Sequence, residues 1–300
     1  MKKGKNARIL ITGATGLLGK KMMAVLPQLG FEVLGTASRA AGKIKKMDIT
    51  DSREVMEVIS GYRPDAVIHA AAITKVDWCE DNKDETFKVN VEGTRNVADA
   101  CMKAGAKMVF ISTDYVFDGT KESKYTEGDR RNPIGVYAQS KAAAEEVVEQ
   151  MLDDYIIARV TVIYGYNDGN DKETFVTYVK KTLEKGIAMH GFTDQFNNPT
   201  FIDDIALATA RLIEMDELGV FNMTGSENLN RYEFAGKIAK VFGLDASLIK
   251  KGSWDESGHK APRAKRLNDS IAKLEKRGIR MRNIEEGLGE MKRQMDKAKK

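Results

Sequence analysis

The sequence predicts an α/β fold: a doubly wound parallel sheet with a smaller C-terminal lobe. Three observations predict it. Short apolar runs alternate with amphipathic stretches through the first 165 residues, the rhythm of βαβ units. A glycine turn ends the first apolar run and opens the first amphipathic stretch. With 300 residues, 42% hydrophobic and 31% charged, the chain can bury a large core without disulfide or metal staples.

The elements follow in order. Residues 8–12 read as a β-rich strand, 16–29 as a helix and 31–35 as the second strand. A helix over 51–60 takes Asp51 or Ser52 as its N-cap. Strand 66–70, a long helix over 84–104 and strand 107–112 come next. Helix 137–152 and strand 155–160 close the regular half. Beyond Gly165 the rhythm loosens: a polar turn at 167–172, a helix over 173–185, and an irregular stretch at 186–198. A helix over 200–215 follows a short entry strand, and further helices cover 231–242 and 283–297. No internal repeat or low-complexity linker interrupts the chain.

Composition excludes several classes. The net charge is only +4, and the basic stretch from Lys276 to Lys300 is broken by Glu285, Glu286, Glu290 and Asp296 and lacks aromatics. It reads as a solvated amphipathic helix, not a nucleic-acid surface. No run approaches the roughly 18–20 apolar residues of a membrane span. The basic residues 1–5 lead into a strand and a glycine turn, not a signal peptide. Cys79 and Cys101 are expected to be reduced thiols in a cytoplasmic protein. His69, His190 and His259 lie far apart, so no metal site is expected.

Gly13, Gly16 and Gly19 sit where strand turns into helix, in the run from Thr12 to Gly19. Glycines there let a pyrophosphate approach the backbone N–H groups and the positive helix end. This implies dinucleotide binding in a Rossmann-type half. That half spans residues 1–165, with 199–217 returning to it. Residues 166–198 and 218–300 form the substrate lobe. The tip of the second strand carries Ser38 and Arg39 and no acid. A guanidinium there can pair with a 2′-phosphate, which favours NADP(H), with NAD as the alternative. The other reading of Arg39 is a solvated loop residue. Asp48-Ile49 is placed to meet the adenine amino group.

Tyr137 and Lys141 stand at i and i+4 on one helix face. A neighbouring ammonium favours phenolate, so Lys141 is expected to lower the Tyr137 pKa and prepare it for proton transfer. Thr113 ends the fourth strand, 24 residues earlier, where its hydroxyl can meet the same substrate oxygen. Ser112 has no Ser-His-Asp partners, and Cys79 has no histidine to activate it. The fourteen methionines read as core packing.

Together these motifs resemble the extended short-chain dehydrogenases/reductases acting on nucleotide sugars, most of all the dTDP-4-dehydrorhamnose reductase branch. The resemblance is carried by the glycine turn, His69-Ala70-Ala71-Ala72, Val76-Asp77 and Val89-Asn90. With them come the run from Ser112 to Gly119, the Tyr137/Lys141 pair, and Asp194-Gln195 before Pro199-Thr200. It covers residues 7–290 and thins after 225. It implies that Tyr137 gives the proton, that Thr113 shares the substrate oxygen, and that Lys141 binds ribose. Asn90 would hold the helix that carries a proton-relay water. Thr15, Leu17, Leu18, His69, Ala70 and Ala71 would join the glycines around the cofactor, and Tyr137 and Lys141 would touch it too. Val76, Asp114, Tyr115, Gln195 and Arg263 would face the substrate. The implied reaction is NADPH-dependent reduction of the C4 ketone of a 4-keto-6-deoxy nucleotide sugar. The alternatives are an epimerase or dehydratase of the same family, or a catalytically silent NADP-binding regulatory subunit. A homodimer built from helices 84–104 and 137–152 is also expected. Two positions depart from the branch: Val162, where tryptophan is usual, and Asn197, where glycine is usual.

Overall fold

The computed structural model describes residues 6–167, 173–256 and 258–299. The basic start at 1–5, most of the turn read at 167–172, and Lys300 lie outside the described residues.

The first half runs β1 (Arg8–Thr12), α1 (Leu17–Val25), β2 (Glu32–Ala37), β3 (Lys45–Lys46), α2 (Ser52–Tyr62) and β4 (Ala66–His69). Then come α3 (Val76–Asp81), α4 (Lys83–Phe87), α5 (Gly93–Ala104), β5 (Lys107–Thr113), α6 (Val136–Met151) and β6 (Tyr155–Val160). Asp51 caps α2, accepting from the backbone amides of Arg53 and Glu54 at 2.9 and 3.1 Å, as its place before the apolar stripe predicts.

The second half opens with β7 (Ile163–Tyr164), α7 (Phe175–Glu184), β8 (Met189–Phe192), β9 (Phe196–Asn197) and β10 (Thr200–Phe201). It continues through α8 (Ile202–Glu214), β11 (Gly219–Asn222), β12 (Leu229–Asn230), α9 (Arg231–Phe242), β13 (Ile249–Gly252), α10 (Ala272–Glu275) and α11 (Ile284–Ala298).

Seven strands form one parallel sheet in the order β11-β6-β5-β4-β1-β2-β3. The alternation of side chains along β1 divides the core. Ile9 and Ile11 pack toward α1 and α8, whereas Leu10 joins Val67, Met108 and Phe110 under α2, α5 and α6. Strand order reverses between β1 and β4, so a crevice opens at their carboxyl ends, where open α/β sheets bind ligands. A separate apolar cluster holds the lobe together around Tyr164, Phe201 and Phe234, covered by α7, α9 and α11.

The structure adds short elements that the sequence reading did not give, β3, α3, β7, β12, β13 and α10, and differs from it in three larger respects. The helix read over 84–104 is broken: α4 passes through a π-helical turn at Lys88–Glu92 before α5. The stretch read as irregular at 186–198 carries β8 and β9, too short for a periodic signal. The sheet also extends past residue 217, where the substrate lobe was expected to resume. Gly219–Asn222 pairs with β6 and forms an edge of the main sheet.

Candidate active site

The glycine turn builds the floor of the site. Gly13 has φ +68°, and a Cβ there would lie 2.8 Å from the Ala71 amide nitrogen. A Cβ on Gly19 would lie 2.2 Å from the Gly13 carbonyl oxygen, so α1 packs against the turn only because glycine stands there. Two clefts of about 560 Å³ each meet over this turn, sharing Gly13, Gly16, Ala70 and Ala72. One reaches Thr15, Ser38, Asp48 and Ile49 beyond the tips of β1 and β2; Ala71 also lines it. The other holds Leu17, Leu18 and Gly19, then Val76, Thr113, Asp114, Tyr115, Tyr137 and Lys141. An elongated, glycine-floored groove with polar groups at one end fits a dinucleotide lying across the switch point.

Arg39 and His69 line neither cleft. Arg39 is exposed just after β2. His69 is buried beneath the turn, its Nδ1 2.7 Å from Thr12 Oγ1 and its Nε2 3.1 Å from Thr94 Oγ1. Burial, and then the charge of Lys141, push its pKa down to about 3, so the ring is a neutral prop. The Thr12 hydroxyl also accepts from the Ala71 amide at 3.1 Å, which fixes the loop that Gly13 faces.

Asn90 lies in the π-helical turn, a distortion often found at functional sites. Its Oδ1 accepts from the Ile73 amide at 2.8 Å. Its Nδ2 donates to the Ile73 carbonyl at 3.1 Å and to Ser140 Oγ at 2.9 Å. The residue thus ties the β4–α3 loop to α6, one residue from Lys141. The Glu145 carboxylate, one turn further along α6, anchors the helix to the sheet. It accepts from Ser112 at 2.6 Å, from Arg159 at 3.0 and 2.7 Å, and from Arg131 at 3.0 Å.

Tyr137 and Thr113 hydrogen-bond each other, and both line the cleft. The expected lowering of the Tyr137 pKa does not occur. Burial, and then the negative charge of Asp114, push the phenol well above its ordinary value. Lys141 does not offset them: its ammonium donates to the Ile111 carbonyl at 2.7 Å and stands 3.9 Å from the centre of the Phe110 ring. Burial lowers Lys141 itself to about 7, although Glu145 opposes that shift. The phenol is therefore protonated in the resting site, the form from which a proton can be given, and the basic oxygen that forms on a reduced ketone must draw that proton off.

Asp114 is buried at the cleft wall, and burial raises its carboxyl to about 6. It accepts from Thr113 Oγ1 at 3.2 Å, from Asn197 Nδ2 at 3.1 Å and from the Thr161 hydroxyl. Gln195 and Arg263 lie outside the lining of this cleft but close behind it. Gln195 accepts from Arg231 Nε at 3.3 Å, and Arg263 is held by Asp77 at 3.0 Å. Arg231 lines the cleft, hydrogen-bonds Tyr115 and lies near Arg263. Sequence reading missed Arg231 and Thr161, because the first opens a distant helix and the second sits in an ordinary strand-end run. Val162, beside Thr161, lines the cleft with φ +40°, rare for a β-branched residue.

A glycine-floored parallel sheet bearing a Thr–Tyr–Lys constellation defines a protein of the short-chain dehydrogenase/reductase class. Comparison with known proteins gives the particular family. Residues 7–297 match the model described as the RmlD substrate binding domain, and the chain belongs to that family, the dTDP-4-dehydrorhamnose reductases and their relatives. The chain is 33% identical over 283 residues to the spore coat polysaccharide biosynthesis protein SpsK of Bacillus subtilis, covering 94% of this chain and 96% of that protein. It is 31% identical to methionine adenosyltransferase 2 subunit beta of Bos taurus, over 82% of this chain and 75% of that one. The crystal structure of dTDP-4-dehydrorhamnose reductase from Bacillus anthracis in complex with NADP superposes with a TM-score of 0.89 at 31% identity. That match covers 95% of this chain and 98% of the other.

Proposed function

We propose that the protein is an NADPH-dependent reductase of the C4 ketone of a 4-keto-6-deoxy nucleotide sugar, dTDP-4-dehydrorhamnose first among them, giving dTDP-L-rhamnose. The observation that carries this reading is Tyr137, held protonated and bonded to Thr113 in the same cleft as the glycine turn. The NADP complex of the Bacillus anthracis reductase supports the choice of cofactor.

When bound, NADPH supplies a hydride. The chain's residues align the ketone and handle the proton. Thr113 and Tyr137 share the carbonyl oxygen, and Tyr137 gives it the proton. Lys141, in the lining of the same cleft, grips the cofactor ribose. Asp114 accepts from a sugar hydroxyl, while Arg231 and Arg263 hold the substrate's diphosphate. The α5 and α6 helices are the faces through which we expect two copies to pair.

The experiment is to supply the purified protein with NADPH and dTDP-4-keto-6-deoxy-L-mannose. Substrate-dependent loss of NADPH, with reduced sugar identified by mass, is the expected result. NADPH binding without turnover would refute it. The likeness to methionine adenosyltransferase 2 subunit beta favours the second reading in that case, a silent binding subunit.

A further inference from the structure

Asp269 lies outside every motif read from the sequence and lines neither part of the cleft. It is 2% exposed, and among the described residues no donor reaches either oxygen of its carboxyl group. Its backbone amide, in contrast, is fixed by Asn198 Oδ1 at 3.1 Å. The neighbouring asparagine, Asn197, donates its side-chain amide to Asp114 Oδ2 at 3.1 Å. Two consecutive asparagines thus bridge two buried acids, one at the cleft wall and one behind it.

The surroundings of the two acids are unequal. Asp114 receives hydrogen bonds from Thr113, Thr161 and Asn197 and feels the positive charge of Arg231; the phenols of Tyr115 and Tyr137 face it. The charged groups near Asp269 are Asp114, Arg159 and Glu127. Arg159 is already committed to Glu145 through its 3.0 and 2.7 Å bonds, and Glu127 adds repulsion. A buried carboxylate needs donors to stay ionised, and two like charges buried close together cannot both be sustained.

We infer that Asp114 and Asp269 ionise as one unit with a single negative charge at neutral pH, the charge resting on Asp114 and the proton on Asp269. The division follows from the donors: three hydrogen bonds reach the Asp114 carboxylate and none, among the described residues, reaches that of Asp269, while burial raises both acids. The catalytic consequence rests on the proposed reductase reading. An Asp114 carboxylate beside Tyr137 disfavours phenolate, which keeps the phenol protonated in the resting site and makes it a weaker acid, so the charge on Asp114 sets how readily the proton leaves. Asp269 and Asn197 are then positioning residues, acting through Asp114. Asn197 is also where this chain departs from the glycine usual in the branch.

The test does not depend on turnover. Aspartate carboxyl carbons of the full-length protein, free of cofactor and substrate, are followed by ¹³C NMR across pH. Wild-type Asp269 is expected to remain protonated at pH 7. In Asp114→Asn, Asp269 should release its proton at lower pH than in wild type, by about one unit or more, because the like charge is gone. In Asn197→Gly, Asp114 loses a donor and should titrate at higher pH. An ionised Asp269 in the wild-type protein at pH 7 overturns the inference, whether or not any variant folds. So does an Asp269 titration that Asp114→Asn leaves unmoved. If the protein proves to be a reductase, Asn197→Gly should also move the acid limb of kcat/KM to higher pH. If it is not a reductase, the NMR result stands alone and the kinetic arm is silent about the pair.

Discussion

The two ends of the cleft are made of different material. The cofactor end is floored by backbone, the glycine turn at 13–19 and the strand tips at 37–38 and 70–73, with residues 47–50, Glu85, Lys88 and Val89 completing its lining. The substrate end is made of side chains from β5, α6, the β6–β7 connection, β9 and α9, joined across long stretches of chain. Asn197 meets Asp114 over 83 residues, and Arg231 meets Gln195 over 36. A backbone site has a local cause and tolerates little change at its glycines. A side-chain site exists only once the tertiary fold assembles it, and it can be retuned one residue at a time.

The sharpest way to break this comparison is to free α6, which carries Tyr137 and Lys141, from the sheet. Glu145→Ala strips Arg159 and Arg131 of their shared carboxylate and leaves a buried guanidinium at 2% exposure. We expect a loss of about 3–5 kcal/mol in denaturant unfolding, with both ends disturbed together. Gly19→Ala is next. Its Cβ would meet the Gly13 carbonyl oxygen at 2.2 Å, and the expected cost is about 1–3 kcal/mol of stability, with NADPH affinity lost in a fluorescence titration. A variant that binds NADPH normally would show that the turn does not form the cofactor floor.

Smaller changes sharpen the comparison. The Asp114 carboxyl ionises above about pH 6. If its carboxylate holds the sugar, kcat/KM should fall as pH drops below that value, while NADPH affinity stays level. A limb shared by both quantities would place the titrating group at the cofactor end instead. Arg39→Ala should weaken NADPH by about tenfold, roughly 1.4 kcal/mol, and leave NADH unchanged. An unaltered NADPH preference would make Arg39 the solvated residue that its exposure allows.

The same contrast explains what could be read in advance. The parallel sheet, the glycine floor and the Thr113/Tyr137/Lys141 set follow from local patterns, since each is a short run at a strand end or on one helix face. The break at Lys88–Glu92 is hidden in the sequence because amphipathic spacing survives one widened turn. Arg231 and Asp269 carry no signal, because a lone arginine at a helix start and a lone acid in a polar loop resemble any surface residue. The protonation of Tyr137 escapes local reading for a related reason. Helical spacing puts Lys141 beside it, but the folded chain turns that ammonium toward Ile111 and brings in Asp114 from the turn that follows β5.

The central claim is that Tyr137 gives the proton in a cleft whose cofactor end works independently of it. Its most direct test compares wild type with Tyr137→Phe for NADPH binding and for turnover of dTDP-4-keto-6-deoxy-L-mannose. We expect NADPH affinity to be unchanged and kcat to fall by about 10²–10⁴-fold. A Tyr137→Phe variant that reduces the sugar at the wild-type rate would contradict the account.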